Sequence, residues 1–394
     1  MVDFSLNETD QTLLDEARVP RQEILDRARY YDYHEDEISP DPPTDQKGYE
    51  AYVKTMGDRA KTSGACTPGV FGMVRIVNQI FGSGAPIPRP EGGAGGGLGN
   101  ASLRAAGTDE QKKKWGKMNL AMANTEPGCG SDSKAIETTA VRDGDEWVLN
   151  GEKIFVTGGI RCQGVVVWAT IDKSAGRGGI KSFVVMKGTP GFDLQKKEKK
   201  MGIRVSDTAA FVLKDCRVPR ANVLGLDEDV KTGGGGFKGL MKTFNMTRPG
   251  VAAGGTGHVN SAFHFVTEAL KKEGVEVDWE TGSHRRSAVQ EKMIELETQI
   301  EASALTIYRA TWLAEKGQPN NLESSVSKAK GGDVSRTGAQ LAIELLGAIG
   351  ITHDQLVEKA FRDARITDIY EGTGEINRLV TARAILNYGS ADLM

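Results

Sequence analysis

Residues 146–156 read EWVLNGEKIFV. Trp147, Val148 and Leu149 on one side, and Ile154, Phe155 and Val156 on the other, are residue types that favour a pleated, half-buried strand. Asn150-Gly151 between them is the strongest short hairpin signal, because both residues tolerate positive φ. The stretch predicts a β-hairpin at the centre of a chain whose two ends read as helix. Further strand-like runs follow: GVVVWATI (164–171), IKSFVVM (180–186) and AAFVLKDCRVP (209–219). Their spacing is that of a small sandwich or barrel.

Before this region, residues 1–118 read as helical, with segments at 8–31, 48–62 and 108–118. They are interrupted by GSGAPIPRPEGGAGGGLGN (82–100), where Pro and Gly exclude regular helix or central strand and predict a loop. No G-x-G-x-x-G register runs through that loop, so it is not a dinucleotide fingerprint. After KTGGGGFKG (231–239), helical patterns cover 251–272, 287–316, 322–346, 353–364 and 374–387. In the second of these, Val289, Met293, Leu296, Ile300, Ala304, Ile307 and Thr311 step by three and four, and Gly317 and Pro319 stop the run. The expected fold class is α+β. An N-terminal helical domain (1–118) precedes a middle β-sandwich or barrel domain (119–229) and a C-terminal helical bundle (230–394). Segregating strands from helices in this way argues against a doubly wound sheet.

Composition narrows the function classes. The 394 residues exceed the ~250–300 at which single cores stop growing. A net charge of -3, with no basic run interleaved with aromatics, offers nothing to nucleic acid. No apolar stretch is long enough for a membrane span, and the acidic start MVDFSLNETDQ predicts neither a secretion signal nor a transit peptide. Cys66, Cys129, Cys162 and Cys216 are far apart and the five histidines dispersed. No metal site is expected, and a reduced, cytoplasmic setting fits best.

Two short segments suggest chemistry. NTEPGCGSDSKAIETTAV (124–141) opens with a tight Pro-Gly turn that presents Thr125 and Ser131 beside several backbone N–H groups, suited to an anion or the polar edge of an aromatic ring. DIYEGTGEINRL (368–379) places Glu371 before Gly372-Thr373-Gly374 and a new helix. A carboxylate there is either a solvated loop group or one held for chemistry.

The series TEPGCGSD, LNGEKIFVTGG, KMGIRVSDT, CRVPRANVLG, FNMTRPGVAAG and RDARITDIYEGTGEINRL, in that order over residues 107–388, resembles the acyl-CoA dehydrogenase family. The resemblance implies a helical domain, a β-domain and a four-helix bundle, FAD as cofactor and an acyl-CoA thioester as substrate. It implies that Glu371 is the general base, with Arg248 of MTRP close to it. Thr125 and Thr157 would bond the flavin's polar edge, Phe155 would stack on the ring where tryptophan is more usual, and Thr373 would touch the cofactor. Ser131 would lie where flavin and substrate pyrophosphate meet, and Gly372 would let the backbone approach the thioester. Glu375 reads as complementing the helix dipole. The implied reaction is α-proton abstraction with β-hydride transfer to flavin, giving the 2-enoyl-CoA, with an electron-transferring flavoprotein as acceptor. Flavin monooxygenases, desulfinases and acyl-CoA reductases share the scaffold and stand as alternatives, as does a catalytically silent stabilising subunit.

Two segments depart from the family pattern. The Arg-x-x-Phe-Gly segment that reaches a neighbour's FAD is absent from KKEGVEVDWETGSHRR (271–286), where Arg285 or Arg286 is the available cation. In ELLGAIG (344–350), Glu344 takes a glutamine position and Ala348 a glycine position. The expected assembly is a homo-oligomer, dimer or tetramer, with a rebuilt cofactor clamp. The alternative is a heteromer whose related second subunit supplies the missing contacts.

Overall fold

The computed structural model describes residues 97–230, 235–353 and 355–389, together with 28–30, 32–35, 76 and 80. Apart from 28–30, which are helical, the helix expected at 8–31 falls outside the described residues, as do the helix expected at 48–62, Cys66 and most of the Gly/Pro segment.

The end of that Gly/Pro segment is not loop. Leu98, Gly99 and Asn100 open helix α1 (Leu98–Ala106). The Asn100 side chain explains the start: its Oδ1 accepts from the Gly97 N–H (3.1 Å) and from the Leu120 N–H (2.9 Å), so one amide both caps the helix and staples it to the first strand. Gly99 is required, since a Cβ there would stand 2.2 Å from the Ala121 carbonyl oxygen. Helix α2 (Asp109–Trp115) begins on a capping box of Thr108 and Gln111.

Seven strands form one curled sheet: β1 (Leu120–Ala123), β2 (Thr139–Asp143), β3 (Glu146–Thr157), β4 (Gly164–Thr170), β5 (Ile180–Met186), β6 (Phe192–Lys197) and β7 (Thr208–Pro219). The order is β1-β4-β2-β3-β7-β6, with β5 on the free flank of β4. Every residue of β4 is buried, which is why it reads as an unbroken apolar run. Trp147, Phe183 and the stacked Phe192–Phe211 pair (4.6 Å between centroids) fill the interior.

The hairpin expected at Asn150-Gly151 does not form. Residues 146–157 run as one strand, and the hairpin lies at Gly144-Asp145, where Gly144 has φ 61° and Asp143 pairs with Glu146. Asn150 instead faces a bulge in β7. It accepts from the Asp215 N–H (2.8 Å) and donates to the Asp215 carboxylate (3.2 Å), with Asp215 itself at φ 48°. Gly151 is needed for close approach rather than for turning, because a Cβ there would stand 2.4 Å from Thr138 Oγ1.

After the sheet the described residues are mainly helical: α3 (Gly235–Lys272), α4 (Ala288–Glu315), α5 (Asn321–Leu346), α6 (Val357–Ala364) and α7 (Gly374–Ile385). Val259, Val266, Met293, Leu296, Ile300 and Val334 are among the residues at their shared core. The expected stripe of α4 is realised, with Met293, Leu296, Ile300, Ala304 and Ile307 buried and Thr311 beside them. Helix α3 starts sixteen residues before the expected 251, and it contains Pro249. A proline removes the N–H that would bond the carbonyl four residues back. Here that carbonyl, of Asn245, accepts instead from Asn320 Nδ2 at 3.1 Å, so the helix continues through the proline.

Candidate active site

Glu371 lies in the turn between a short 3-10 segment (Arg365–Asp368) and α7. Its φ is 59° and that of Gly372 is 91°, two consecutive left-handed residues. For a glutamate this conformation is unfavourable and persists only when the surroundings impose it. The imposing groups are side-chain donors on successive carbonyls. Arg248 Nε donates to the Glu371 carbonyl (3.2 Å), while Lys328 Nζ (3.0 Å) and Asn377 Nδ2 (2.8 Å) both donate to that of Gly372. The carboxylate of Glu371 accepts from Thr247 Oγ1.

Arg248 is 4% exposed and Lys328 fully buried, so two cations back a half-buried carboxylate. Arg248 also reaches Ser325 Oγ (3.3 Å) and Asn245 Oδ1 (3.4 Å) and lies over the Phe244 ring. Burial raises the Glu371 carboxyl above its ordinary value, opposed by the Thr247 hydroxyl and by Arg248 and Lys328. Burial likewise pushes the Lys328 ammonium down to about 8, opposed by Asp368 and Glu371. A carboxylate so placed holds a proton more readily than an exposed one and is suited to act as a base.

Thr373 is the N-cap of α7, its hydroxyl accepting from the Ile376 N–H at 3.3 Å, and Glu375 stands in the first turn. Sequence reasoning missed Thr247, Lys328 and Asn377. A signal existed for Lys328: it interrupts a buried stripe of small residues, Ser324, Ser327 and Gly331, where an unpaired ammonium has no structural reason to be.

Thr125, Ser131, Phe155 and Thr157 lie on the sheet side. The Thr125 carbonyl accepts from the Ile154 N–H at 3.0 Å, which sets the 124–132 loop against β3. A shift of register between Lys153 and Val156 puts Phe155 at φ 55° and leaves the residue 59% exposed. Bulges commonly re-aim a side chain in this way. Ser131 is exposed on the loop, and Thr157 is half-buried where β3 pairs with Thr208. The loop is pinned from beneath by a buried ion pair, also missed from sequence. Glu126 accepts from Lys153 Nζ (2.6 Å) and from the N–H groups of Glu137 (2.7 Å) and Thr138 (3.1 Å). Lys153 donates further to the Asn124 carbonyl (3.1 Å). Burial would raise the Glu126 carboxyl, but the charge and hydrogen bond of Lys153, with bonds from Thr138 and Glu137, hold it below its ordinary value.

No hydrogen bond joins the two groups directly among the described residues. They are linked through KMGIRVSD. Asp207 receives the Gly158 N–H on its carbonyl (2.9 Å) and the Ile160 N–H on its carboxylate (2.8 Å). A few residues back, the Ile203 N–H donates to Asp363 Oδ1, and a Cβ at Gly202 would stand 2.1 Å from the Arg362 carbonyl oxygen. The strand end carrying Thr157 and the segment leading to Glu371 thus meet on one loop.

In the departing segments, Arg286 donates to the Trp279 carbonyl (2.9 Å) and pairs with Glu291 (3.7 Å), while Arg285 is exposed. Glu344 is paired, accepting from Gln340 (3.1 Å) and facing Lys292 at 3.6 Å.

Family models described as acyl-CoA dehydrogenase, middle domain, and acyl-CoA dehydrogenase, C-terminal domain, match residues 121–216 and 234–386. The rat mitochondrial short-chain specific acyl-CoA dehydrogenase is 35% identical over 286 residues, covering 71% of this chain and 67% of that protein. The butyryl-CoA dehydrogenase structure from Megasphaera elsdenii aligns over 98% of this chain and 100% of that one, with a TM-score of 0.72 and 28% identity. A chain from a structure titled as the electron transferring flavoprotein of Acidaminococcus fermentans aligns over the same shares, with a TM-score of 0.72 and 30% identity. The chain belongs to the acyl-CoA dehydrogenase family of oxidoreductases.

Proposed function

We propose that this chain is an FAD-dependent acyl-CoA dehydrogenase in which Glu371 removes the α-proton of an acyl-CoA thioester. The observation that carries the reading is the Glu371 carboxylate itself: half-buried, raised in affinity for a proton, and held in a strained turn by buried donors. Removing a proton next to a thioester carbonyl needs a base of this kind at a fixed position. Arg248 orients the turn through the Glu371 carbonyl, and Gly372 leaves room for the thioester beside it.

The sheet-side residues fit a flavin. The exposed Phe155 offers an apolar ring, and the hydroxyls of Thr125, Thr157 and Ser131 carry no hydrogen bond among the described residues. A flat ring with a polar edge needs that combination of apolar face and available donors. Thr373 caps α7 with its hydroxyl oxygen and lies within hydrogen-bond reach of the Glu375 carboxylate, at the edge of the same site. When bound, FAD supplies the acceptor for the β-hydride that leaves as the α-proton is taken. Ser131, Arg248 and Gly372 are the substrate-side residues.

The reading includes domains at 1–118, 119–229 and 230–394, and an electron-transferring flavoprotein as acceptor. It includes a homo-oligomer, or a heteromer with a related subunit. The engagement of Arg286 with Trp279 and Glu291 leaves Arg285 as the cation for a rebuilt cofactor clamp. A reduced, cytoplasmic setting is supported by the unpaired, buried Cys129, Cys162 and Cys216. The test is to purify the chain alone, measure flavin per chain from the visible spectrum, and assay an acyl-CoA panel beginning with butyryl-CoA and an artificial dye acceptor. One FAD per chain with dye reduction supports the reading. A loaded protein that oxidises no acyl-CoA sinks it, and a colourless chain points to the heteromer.

A further inference from the structure

Lys328 has no exposed surface, and among the described residues no carboxylate lies within ion-pair distance of its ammonium. Burying a charge costs several kcal/mol unless its partners are well placed. A helix that needed only to fill this space would carry Met, of similar length and no charge. The hydrogen bond that Lys328 makes is to the Gly372 carbonyl at 3.0 Å, which it shares with Asn377 Nδ2 at 2.8 Å. The preceding carbonyl, of Glu371, is held by Arg248. Fixing two successive carbonyls fixes the peptide planes on both sides of Gly372. This restrains the turn in which Glu371 holds its φ of 59°.

We propose that Lys328 is a positioning residue for the base: through the Gly372 carbonyl it locks the left-handed Glu371–Gly372 pair and so sets where the carboxylate points. The inference rests on the reading of Glu371 as the base. The groups facing Glu371 and Lys328 are Thr247 and Arg248 from α3, Asp368 from the 3-10 segment, Tyr370 beside Glu371 and Glu375 from α7. Of these, Arg248 remains when Lys328 is removed, so the carboxylate keeps one cation and loses one.

The experiment compares Lys328→Met, Lys328→Arg and Glu371→Gln in butyryl-CoA oxidation with dichlorophenolindophenol as acceptor, alongside flavin content and melting temperature. Misplacing a reacting group by an ångström costs on the order of 100-fold, so Lys328→Met should lose about 10- to 100-fold in kcat with KM little changed. Lys328→Arg should recover most of that loss. Removing the cation should also move the acid limb of the kcat/KM profile to higher pH, because the base then holds its proton longer. Lys328→Met at wild-type kcat beside an inactive Glu371→Gln overturns this proposal alone; an active Glu371→Gln overturns the reading beneath it. A Lys328→Met loss that follows flavin content and is not recovered by Lys328→Arg also overturns it. Should Lys328→Met fail to fold, Asn377→Ala strips the other donor from the same carbonyl. It must then show the same loss in kcat, and wild-type kcat there defeats the proposal.

Discussion

Phe155 and Glu371 share an uncommon backbone conformation, at φ 55° and 59°, yet they are held in it by opposite means. Phe155 is displaced by the register of its own strand, and the residue stands open to solvent. Glu371 is fixed by side chains from three helices, α3, α5 and α7, and its half-buried carboxylate accepts from Thr247 of α3. The sheet side is geometry imposed by pairing; the helical side is geometry imposed by charge-assisted hydrogen bonds. Changes to polar side chains should therefore damage the second far more than the first, unless they strike the Glu126–Lys153 pair beneath the loop.

The largest expected effect tests the half-buried carboxylate. Glu371→Gln should lower kcat by about 10²–10⁴-fold, the usual yield of a positioned base, while flavin content holds. Because the folded carboxyl is raised above the unfolded value near 4.5, its ionisation opposes folding. The stability of that group is full below about 4.5 and declines as pH rises through the folded value. Glu371→Gln should thus melt higher than wild type at neutral pH, with the gap closing toward acid. In turnover the sign is reversed: wild-type kcat/KM should fall as pH drops through the same raised value.

Next in size is Lys153→Met, which leaves the Glu126 carboxylate buried without its cation. Loss of one partner from a buried pair costs about 3–5 kcal/mol, read as a drop in thermal midpoint accompanied by poorer flavin retention. Unchanged stability would mean the sheet-side loop does not depend on charge, and the contrast with the base turn would sharpen.

Smaller effects come from the two left-handed sites themselves. Gly372→Ala puts a Cβ at φ 91°, 3.1 Å from Asn377 Nδ2, and should cost about 1–2 kcal/mol in urea unfolding together with much of the activity. Phe155→Gly does the reverse. It relieves a strained residue by about 1 kcal/mol, leaving the chain no less stable, and should weaken flavin binding. If Phe155→Gly destabilised the chain as much as Gly372→Ala, the two regions would not differ in the way described.

The alternation of helix and sheet was legible because long periodic runs such as 287–316 carry a strong signal. Local geometry was less so. Asn150-Gly151 has the composition of a turn, but a pairing partner in β7 with its own bulge absorbed the irregularity and kept the strand continuous. The helix expected from 251 in fact runs through Pro249, and a side chain 71 residues beyond that proline, Asn320, takes the carbonyl it leaves unpaired. Glu371 was readable as part of a motif, whereas its support was not. Lys328 and Asn377 act through backbone carbonyls, and no spacing in the sequence reveals which carbonyl a distant side chain will meet.

That latched proline has a mechanical meaning. Thr247 and Arg248, which touch the carboxylate and the carbonyl of Glu371, sit on the turn of α3 just before the missing rung at Pro249. The helix is therefore a jointed rod, with a single amide at Asn320 serving as the pin. On warming, a rod of this kind gives way at its pin before its ends unravel, so amide exchange around 245–249 should quicken ahead of global melting. Heat would then blunt turnover while the bundle still stood.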